Sequence, residues 1–373
     1  MKILIISKYF PPRYGGVESV VYYNAKNLIK KGHKVTVIAF DNSPYRREKF
    51  EGIDVIRVPI NFEFGAQPIS LRLIKEVWEH DFDICNLHEP NPFANTVAYL
   101  MLVLKGKPYV ITYHSDILLG GGKREGIQFK ILKGLYKVIE KMFIFRSAKR
   151  IMPTSPQYIG MSDTLPAYRK KLEVIPNGVD LAKYKPSKSW KPNHTILFVG
   201  RFIYYKGIQY LIKALPLVLK KVPDAKLIMA GDGEMRNELE DLAERLGVEE
   251  HVKILGVFRD DVIKEFQKCG VSVLPSIHKS EAFGIVILES MACGVPVITT
   301  DVSGTVYAAG NAGIIIKPKD ERALADAIIK VITNPKLARE MRRKGLAHAK
   351  EFDWRKITEK TEKIYKKALK NNT

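Results

Sequence analysis

Cysteine is scarce in this chain: three among 373 residues, Cys85, Cys269 and Cys293, an odd number, each inside an apolar stretch. That excludes a disulfide framework and a cysteine metal site, and the three read as buried thiols of a reducing compartment. Long hydrophobic runs are also missing. The longest unbroken apolar stretch is Val97–Leu104, eight residues, against the ~18 that a membrane-spanning helix needs. No export signal is legible at the start, because Lys8 and then Pro11-Pro12 interrupt Ile3–Ile6. Acidic residues are few beside basic ones, 40 Asp and Glu against 61 Lys and Arg, for a formal net charge of +21. Such a surplus implies an anionic partner: phosphate, nucleic acid or a membrane surface. No RNA-recognition or helix-turn-helix signature accompanies it, so nucleic acid is not expected. With 46% hydrophobic and 27% charged residues, the composition is that of an ordinary globular protein. A cytoplasmic protein is expected, with peripheral attachment to the inner membrane face left open.

Short β-branched runs alternate with longer amphipathic stretches, which reads as repeated strand–helix units on parallel sheets. Candidate strands in the first half are Ile3–Ile6, Val35–Ala39, Ile53–Val58, Ile84–Leu87, Tyr109–Thr112, Arg150–Pro153 and Leu172–Ile175. In the second half they are Ile196–Val199, Lys226–Ala230, Val252–Leu255, Val271–Leu274, Pro296–Thr299 and Gly313–Ile316. Between the sets lies Pro176–His194, rich in proline and turn residues, which reads as a linker. The expected fold is α/β, two doubly wound domains spanning 1–178 and 179–354, followed by a helix near Trp354–Leu369. Ligands of such sheets bind beyond the carboxyl ends of the strands.

Phe198-Val199-Gly200-Arg201, followed by Lys206-Gly207, ends a strand and opens a helix. Arg201 and Lys206 flanking a helix N-terminus suit a diphosphate: a guanidinium fork, a point charge and free N–H groups. Two solvated surface cations are the alternative. In Ser280 to Glu289, a very apolar helix starts near Phe283–Ile285 and stops at Gly294. Glu281 precedes it and Glu289 lies within it, where a carboxylate is costly to bury without a hydrogen-bonding partner. A sugar or ribose diol is one such partner, and the N–H groups of Phe283, Gly284 and Ile285 can meet phosphate or hexose oxygens. A helix-dipole carboxylate with a structural ion pair is the plainer reading. Gly15-Gly16 after the first strand lets backbone approach a ligand closely, but no G-x-G-x-x-G fingerprint is present. His88 and His114 end strands where a ligand would lie; His114 is equally consistent with a substrate or a structural role, and a structural role is favoured for His88.

The basic surplus is uneven. Residues 101–150 carry eleven Lys and Arg against three Asp and Glu. Over Gln128–Phe145, Lys130, Lys133, Lys137 and Lys141 share one helical face, and Ile131, Leu132, Leu135, Val138, Ile139, Met142 and Phe143 cover the other. Such a helix suits an anionic membrane surface. Alternatively its apolar face packs on the sheet and its lysines sit in water, which is the favoured reading at this point.

Together these motifs resemble the family-4 retaining glycosyltransferases of the GT-B fold. The resemblance runs nearly the full chain: Gly15-Gly16-Val17-Glu18, Ile175 to Asp180, Val199-Gly200-Arg201 with Lys206-Gly207, Ala230-Gly231-Asp232-Gly233, and Glu281-Ala282-Phe283-Gly284 leading to Glu289. The last is similar to the family's E-x7-E motif. The resemblance implies two Rossmann-like domains facing each other across a cleft, with the helix 355–373 crossing back onto the first. It implies a nucleotide-sugar donor, transfer of a hexose with retention, and neither cofactor nor metal. Arg201 and Lys206 would hold the diphosphate, and Glu281 the hexose hydroxyls, beside the Phe283, Gly284 and Ile285 amides. Glu289 would bind the ribose, Phe258 the base through its backbone, and Gly15 and Gly16 the diphosphate. His114 would face the transferred sugar near the reacting centre.

One loop departs from the pattern: Asp301 to Tyr307 lacks the acidic residue usual after the Pro296–Thr299 strand. Asp81-Phe82-Asp83 matches the D-x-D pattern of metal-dependent sugar transferases, but it precedes a strand, so no metal is expected there. The acceptor is expected to be a glycan or a lipid-linked or membrane molecule. A soluble sugar phosphate or glucan, or a nucleotide-sugar epimerase of the same fold, is the alternative.

Overall fold

The computed structural model describes all residues except 14, 65–66, 118–126, 257–260 and 371–373, and the backbone alone of 127–130, 132–133 and 261. The chain divides into two compact units, Met1–Asn177 with Trp354–Thr373, and Gly178–Asp353.

In the first unit the strands are β1 (Lys2–Ser7), β2 (Lys34–Asp41), β3 (Arg46–Phe50), β4 (Ile53–Pro59), β5 (Phe62–Phe64), β6 (Gln67–Ile69), β7 (Ile84–Glu89), β8 (Tyr109–Tyr113) and β9 (Arg150–Pro153). Seven of them form one sheet in the order β3-β4-β2-β1-β7-β8-β9, and β5 pairs with β6 apart. All pairings in the large sheet are parallel except β3 with β4. The interior strands are runs of Ile, Val and Leu because helices cover both faces of a parallel sheet. Charged β3, Arg-Arg-Glu-Lys-Phe, survives as an antiparallel edge, where charge protects against unwanted pairing. Strand order reverses direction between β1 and β7, and such a switch point opens a crevice at the strands' carboxyl ends. The loop ending at Gly15 and the residues His88 and Glu89 leave the sheet there.

The helix Trp354–Lys370 belongs to this unit. Trp354 stacks on Tyr23 at 5.5 Å, and Glu362 meets His33 at 3.1 Å and Lys31 at 3.3 Å.

The second unit holds β10 (Thr195–Val199), β11 (Lys226–Ala230), β12 (Val252–Leu255), β13 (Val271–Leu274), β14 (Val297–Thr300) and β15 (Ile314–Ile316). They form one parallel sheet in the order β12-β11-β10-β13-β14-β15. Its switch point lies between β10 and β13. Their exits therefore share one crevice, although Val199 and Leu274 are far apart in sequence.

Two expectations need correction. Leu172–Ile175 is not a strand. Glu173 and Ile175 donate to the carbonyls of Ile151 and Pro153, at 3.0 and 2.9 Å, but only one bridge forms, Ile151 with Leu172. Pro153 has no N–H to return, so the ladder stops. The segment 176–194 links the units only at its start, where they divide between Asn177 and Gly178; beyond it Leu181, Tyr184 and Trp190 pack on the core of the second unit, and Trp190 Nε1 donates to the Cys269 carbonyl at 2.8 Å. All three cysteines are free and buried, as expected.

Candidate functional site

In the second unit the β10 exit turns through Tyr204–Lys206 into the helix Ile208–Leu219, with Gly207 as its N-cap. Gly207 has φ +71°, and a Cβ there would stand 2.0 Å from the Pro275 carbonyl oxygen. Only glycine permits that approach. The contact clamps the β10 exit onto the β13 exit, where Ile277 N–H also donates to the Tyr205 carbonyl at 2.8 Å. Lys206 Nζ then reaches Glu281 Oε2 at 2.5 Å, and Ser276 Oγ donates to the same oxygen at 2.9 Å. Both members of the pair are largely buried, with side-chain exposures of 15% and 9%. Burial depresses the Lys206 pKa, but the Glu281 carboxylate outweighs that and holds the ammonium above its ordinary value. Arg201 is exposed, makes no ion pair among the described residues, and lies near enough for its charge to oppose that of Lys206. Two cations beside a single carboxylate, of which only Lys206 is paired with it, leave positive charge for an anion.

Glu281 precedes the helix Ile285–Ala292, capped by Gly284 in the left-handed region at φ +78°. A Cβ on Gly284 would stand 2.9 Å from Leu274 Cδ2, so the helix start sits directly over the β13 end. Phe283 is buried against Tyr307 and Phe352, and Ile285 and Glu289 are half-buried on the helix. Phe258 falls outside the described residues. The divergent loop after β14 lies alongside: a Cβ on Gly304 would meet the Ala282 carbonyl at 1.9 Å.

In the first unit Gly15 is the extended N-cap of the helix beginning at Gly16, and a Cβ on Gly15 would lie 2.4 Å from Glu18 Oε2. The preceding loop is held by Arg57, 2% exposed, which donates to the carbonyls of Phe10, at 3.1 Å, and Pro11. His114 is buried and its Nε2 lies 2.8 Å from His88 Nδ1. Burial lowers its pKa to about 4, so the ring is neutral at ordinary pH. Asp81 and Asp83 engage Lys2 at the amino ends of β1 and β7, far along the strands from these exits.

Sequence reasoning missed Ser276, Asn86 and Arg57. Arg57 had a signal, a lone cation within the apolar run Ile53–Val58. Ser276 and Asn86 had none, since their roles depend on which strands become neighbours.

The family described as Glycosyltransferase Family 4 matches residues 14–183, and that described as Glycosyl transferases group 1 matches residues 182–348. The O-antigen chain mannosyltransferase C of Escherichia coli is 31% identical over 354 residues, covering 90% of this chain and 89% of that protein. This chain belongs to the group 1, family-4 glycosyltransferases. This glycosyltransferase also resembles the phosphatidyl-myo-inositol mannosyltransferase of Mycolicibacterium smegmatis, 27% identical, covering 98% of this chain and 93% of that one. Among solved structures, Anabaena HepE in complex with UDP-glucose superposes with a TM-score of 0.77 at 22% identity, covering 98% of this chain and 100% of that one. At that identity the likeness establishes the GT-B fold.

Proposed function

We propose that this glycosyltransferase moves a hexose from a nucleotide-diphosphate sugar to an acceptor hydroxyl with retention, and that it needs no metal. The observation that carries the reading is the Lys206–Glu281 pair beside exposed Arg201 at the switch point of the second unit. Arg201 and Lys206 hold the diphosphate and stabilise the charge that gathers on it as the bond from the sugar's anomeric carbon breaks. The new bond forms on the same face, and the acceptor's proton passes to a departing phosphate oxygen. Glu281 and the amides of Phe283, Gly284 and Ile285 meet the hexose and phosphate, Glu289 the ribose and Phe258 the base. From the first unit, Gly15 and Gly16 approach the diphosphate, and His114 donates a hydrogen bond to the transferred sugar.

A lipid-linked or membrane glycan is the acceptor class we favour. The helix Ile127–Ile139 continues through a wider turn, Glu140–Phe145, and turns Tyr136, Ile144 and Phe145 inward. Ile131, Leu135, Val138 and Met142, at helical spacing, are 67%, 56%, 49% and 56% exposed. The reading that placed this apolar face on the sheet therefore fails. On the adjoining helix Pro92–Leu104, Leu100, Val103 and Leu104 are also exposed. Apolar side chains in water within a segment this basic suit an anionic lipid surface. The side chains of Lys130, Leu132 and Lys133 lie outside the described residues; Lys137 pairs with Asp163 at 2.7 Å. No helix among the described residues is long and apolar enough to cross a membrane. The relatives named for O-antigen and phosphatidyl-myo-inositol transfer support this acceptor class.

The donor reading is tested by thermal shift with UDP-, GDP- and ADP-hexoses, since a ligand bound only to the folded state raises Tm. One hexose should shift wild type and not Lys206→Ala. Wild-type-like turnover by Lys206→Ala or Glu281→Ala would overturn it. Cosedimentation with phosphatidylglycerol vesicles at low salt tests the membrane reading. Binding that survives Val138→Glu with Met142→Glu would refute it, and efficient transfer to soluble sugars alone would point to the other acceptor class.

A further inference from the structure

Two histidines end neighbouring strands of the first unit, and a chain of buried polar groups stands behind them. His88 Nδ1 lies 2.8 Å from His114 Nε2, with the rings stacked at 5.1 Å. On the far side of His88, Asn86 Nδ2 faces His88 Nε2 at 3.2 Å and donates to the Tyr365 hydroxyl at 2.8 Å. Asn86 Oδ1 accepts from Thr112 Oγ1 at 3.0 Å. The sheet sets these distances: Asn86 and His88 sit two apart on one face of β7, and Thr112 of β8 is the register partner of His88. Tyr365 arrives from the last helix, Trp354–Lys370. All five side chains are buried.

A neutral imidazole has one nitrogen that donates and one that accepts, whereas an amide nitrogen only donates. With Asn86 Nδ2 directed at it, His88 Nε2 accepts, so the His88 proton resides on Nδ1. That N–H points at His114 Nε2, which must then accept. The single proton of His114 is left on Nδ1, which makes no hydrogen bond among the described residues. A charge on either ring would break this order. Burial holds both rings neutral near pH 7, and two imidazoliums this close would repel one another, which opposes protonation of His88 further.

We propose that Asn86 and His88 are positioning residues that fix His114 as an uncharged Nδ1–H donor toward the substrate, with Tyr365 orienting the amide that starts the chain. The inference rests on the reading of His114 as a substrate-facing residue. A nitrogen locked as a donor serves a sugar or phosphate oxygen and cannot accept the acceptor's proton. That agrees with sending the proton to the leaving phosphate.

The test is nitrogen-15 NMR of the histidine-labelled full-length chain, with the His114 resonance assigned by its loss in His114→Ala. At pH 7, His114 should be neutral and protonated on Nδ1. A proton on Nε2, which a turned Asn86 amide would impose, overturns the proposal. The variant His88→Asn sets an amide where Nδ1 stood, so it should preserve the tautomer and acceptor-free turnover of UDP- or GDP-hexoses. The variant His88→Leu offers no donor; the His114 tautomer should become mixed and kcat fall about three- to tenfold, the worth of one neutral hydrogen bond, at similar KM. Equal losses in both variants, or none in His88→Leu, would refute the relay. Normal turnover by His114→Ala would instead remove His114 from the substrate and with it the underlying reading. A defect in His114→Ala with His88→Leu unaffected sinks the relay alone.

Discussion

Lys206 and Glu281, 75 residues apart in the chain, meet at 2.5 Å because the exits of β10 and β13 are adjacent in the sheet. Substituting Lys206 by Met removes the cation and leaves the Glu281 carboxylate with Ser276 as its hydrogen-bonding partner. The expected cost is about 1–3 kcal/mol, below the 3–5 of a fully buried pair because some water reaches both groups. Urea melts of Lys206→Met, Glu281→Gln and the double variant should give a favourable coupling energy on the order of 1 kcal/mol. Additive losses would show that the two do not interact in solution.

Gly207 should tolerate no side chain. It combines φ +71° with a projected Cβ 2.0 Å from the backbone oxygen of Pro275. Gly32 has φ +83° and open space around it. Gly32→Ala should therefore lose only the left-handed penalty, about 1 kcal/mol, whereas Gly207→Ala should lose well over ~2 kcal/mol. Denaturant midpoints of the two variants make the comparison, and equal values would contradict the close approach.

Arg57 is the cation whose loss should cost most in the first unit. It is buried, paired with Glu48 at 2.8 Å, and holds the Phe10 and Pro11 carbonyls in the loop that leads to Gly15. Arg57→Met should destabilise by about 3 kcal/mol, as expected when one partner of a buried network is removed. Lys at this position should recover little, since a single ammonium cannot reproduce the guanidinium fork. Thermal melts of both variants check this.

Glu140 should make the protein less stable at alkaline pH. Burial first, and then the nearby Glu89 carboxylate, raise its pKa from 4.5 to about 8. Folding therefore takes up a proton between those values. The stability contributed by the protonated acid is complete below pH 4.5 and is lost as pH rises toward 8. Glu140→Gln keeps an acceptor for Thr164 and does not titrate. It should exceed wild type by roughly 1 kcal/mol or more at pH 8, and the difference should vanish by pH 4.5. A gap independent of pH would show that Glu140 titrates alike in the folded and unfolded chains.

The amino-acid order by itself determined the family and the interior strands of both sheets. Interior strands such as Ile3–Ile6 and Ile196–Val199 announce themselves because a parallel sheet covered on both faces demands continuous apolar runs. Glycines at 207 and 284 mark turns because few other residues adopt those angles. Only the tertiary structure decided what these elements bring together. Strand order made neighbours of Lys206 and Glu281 and supplied Ser276, and the return of the last helix put Tyr365 behind Asn86. It also decided which face of the helix at 127–139 meets water, since helical period defines a face but not what covers it. Charged β3 was illegible for a related reason: its partners are Arg57 and an edge, and neither leaves a periodic signal. Local preference is written in neighbouring residues, whereas pairing between distant strands is settled by the packing of the whole sheet.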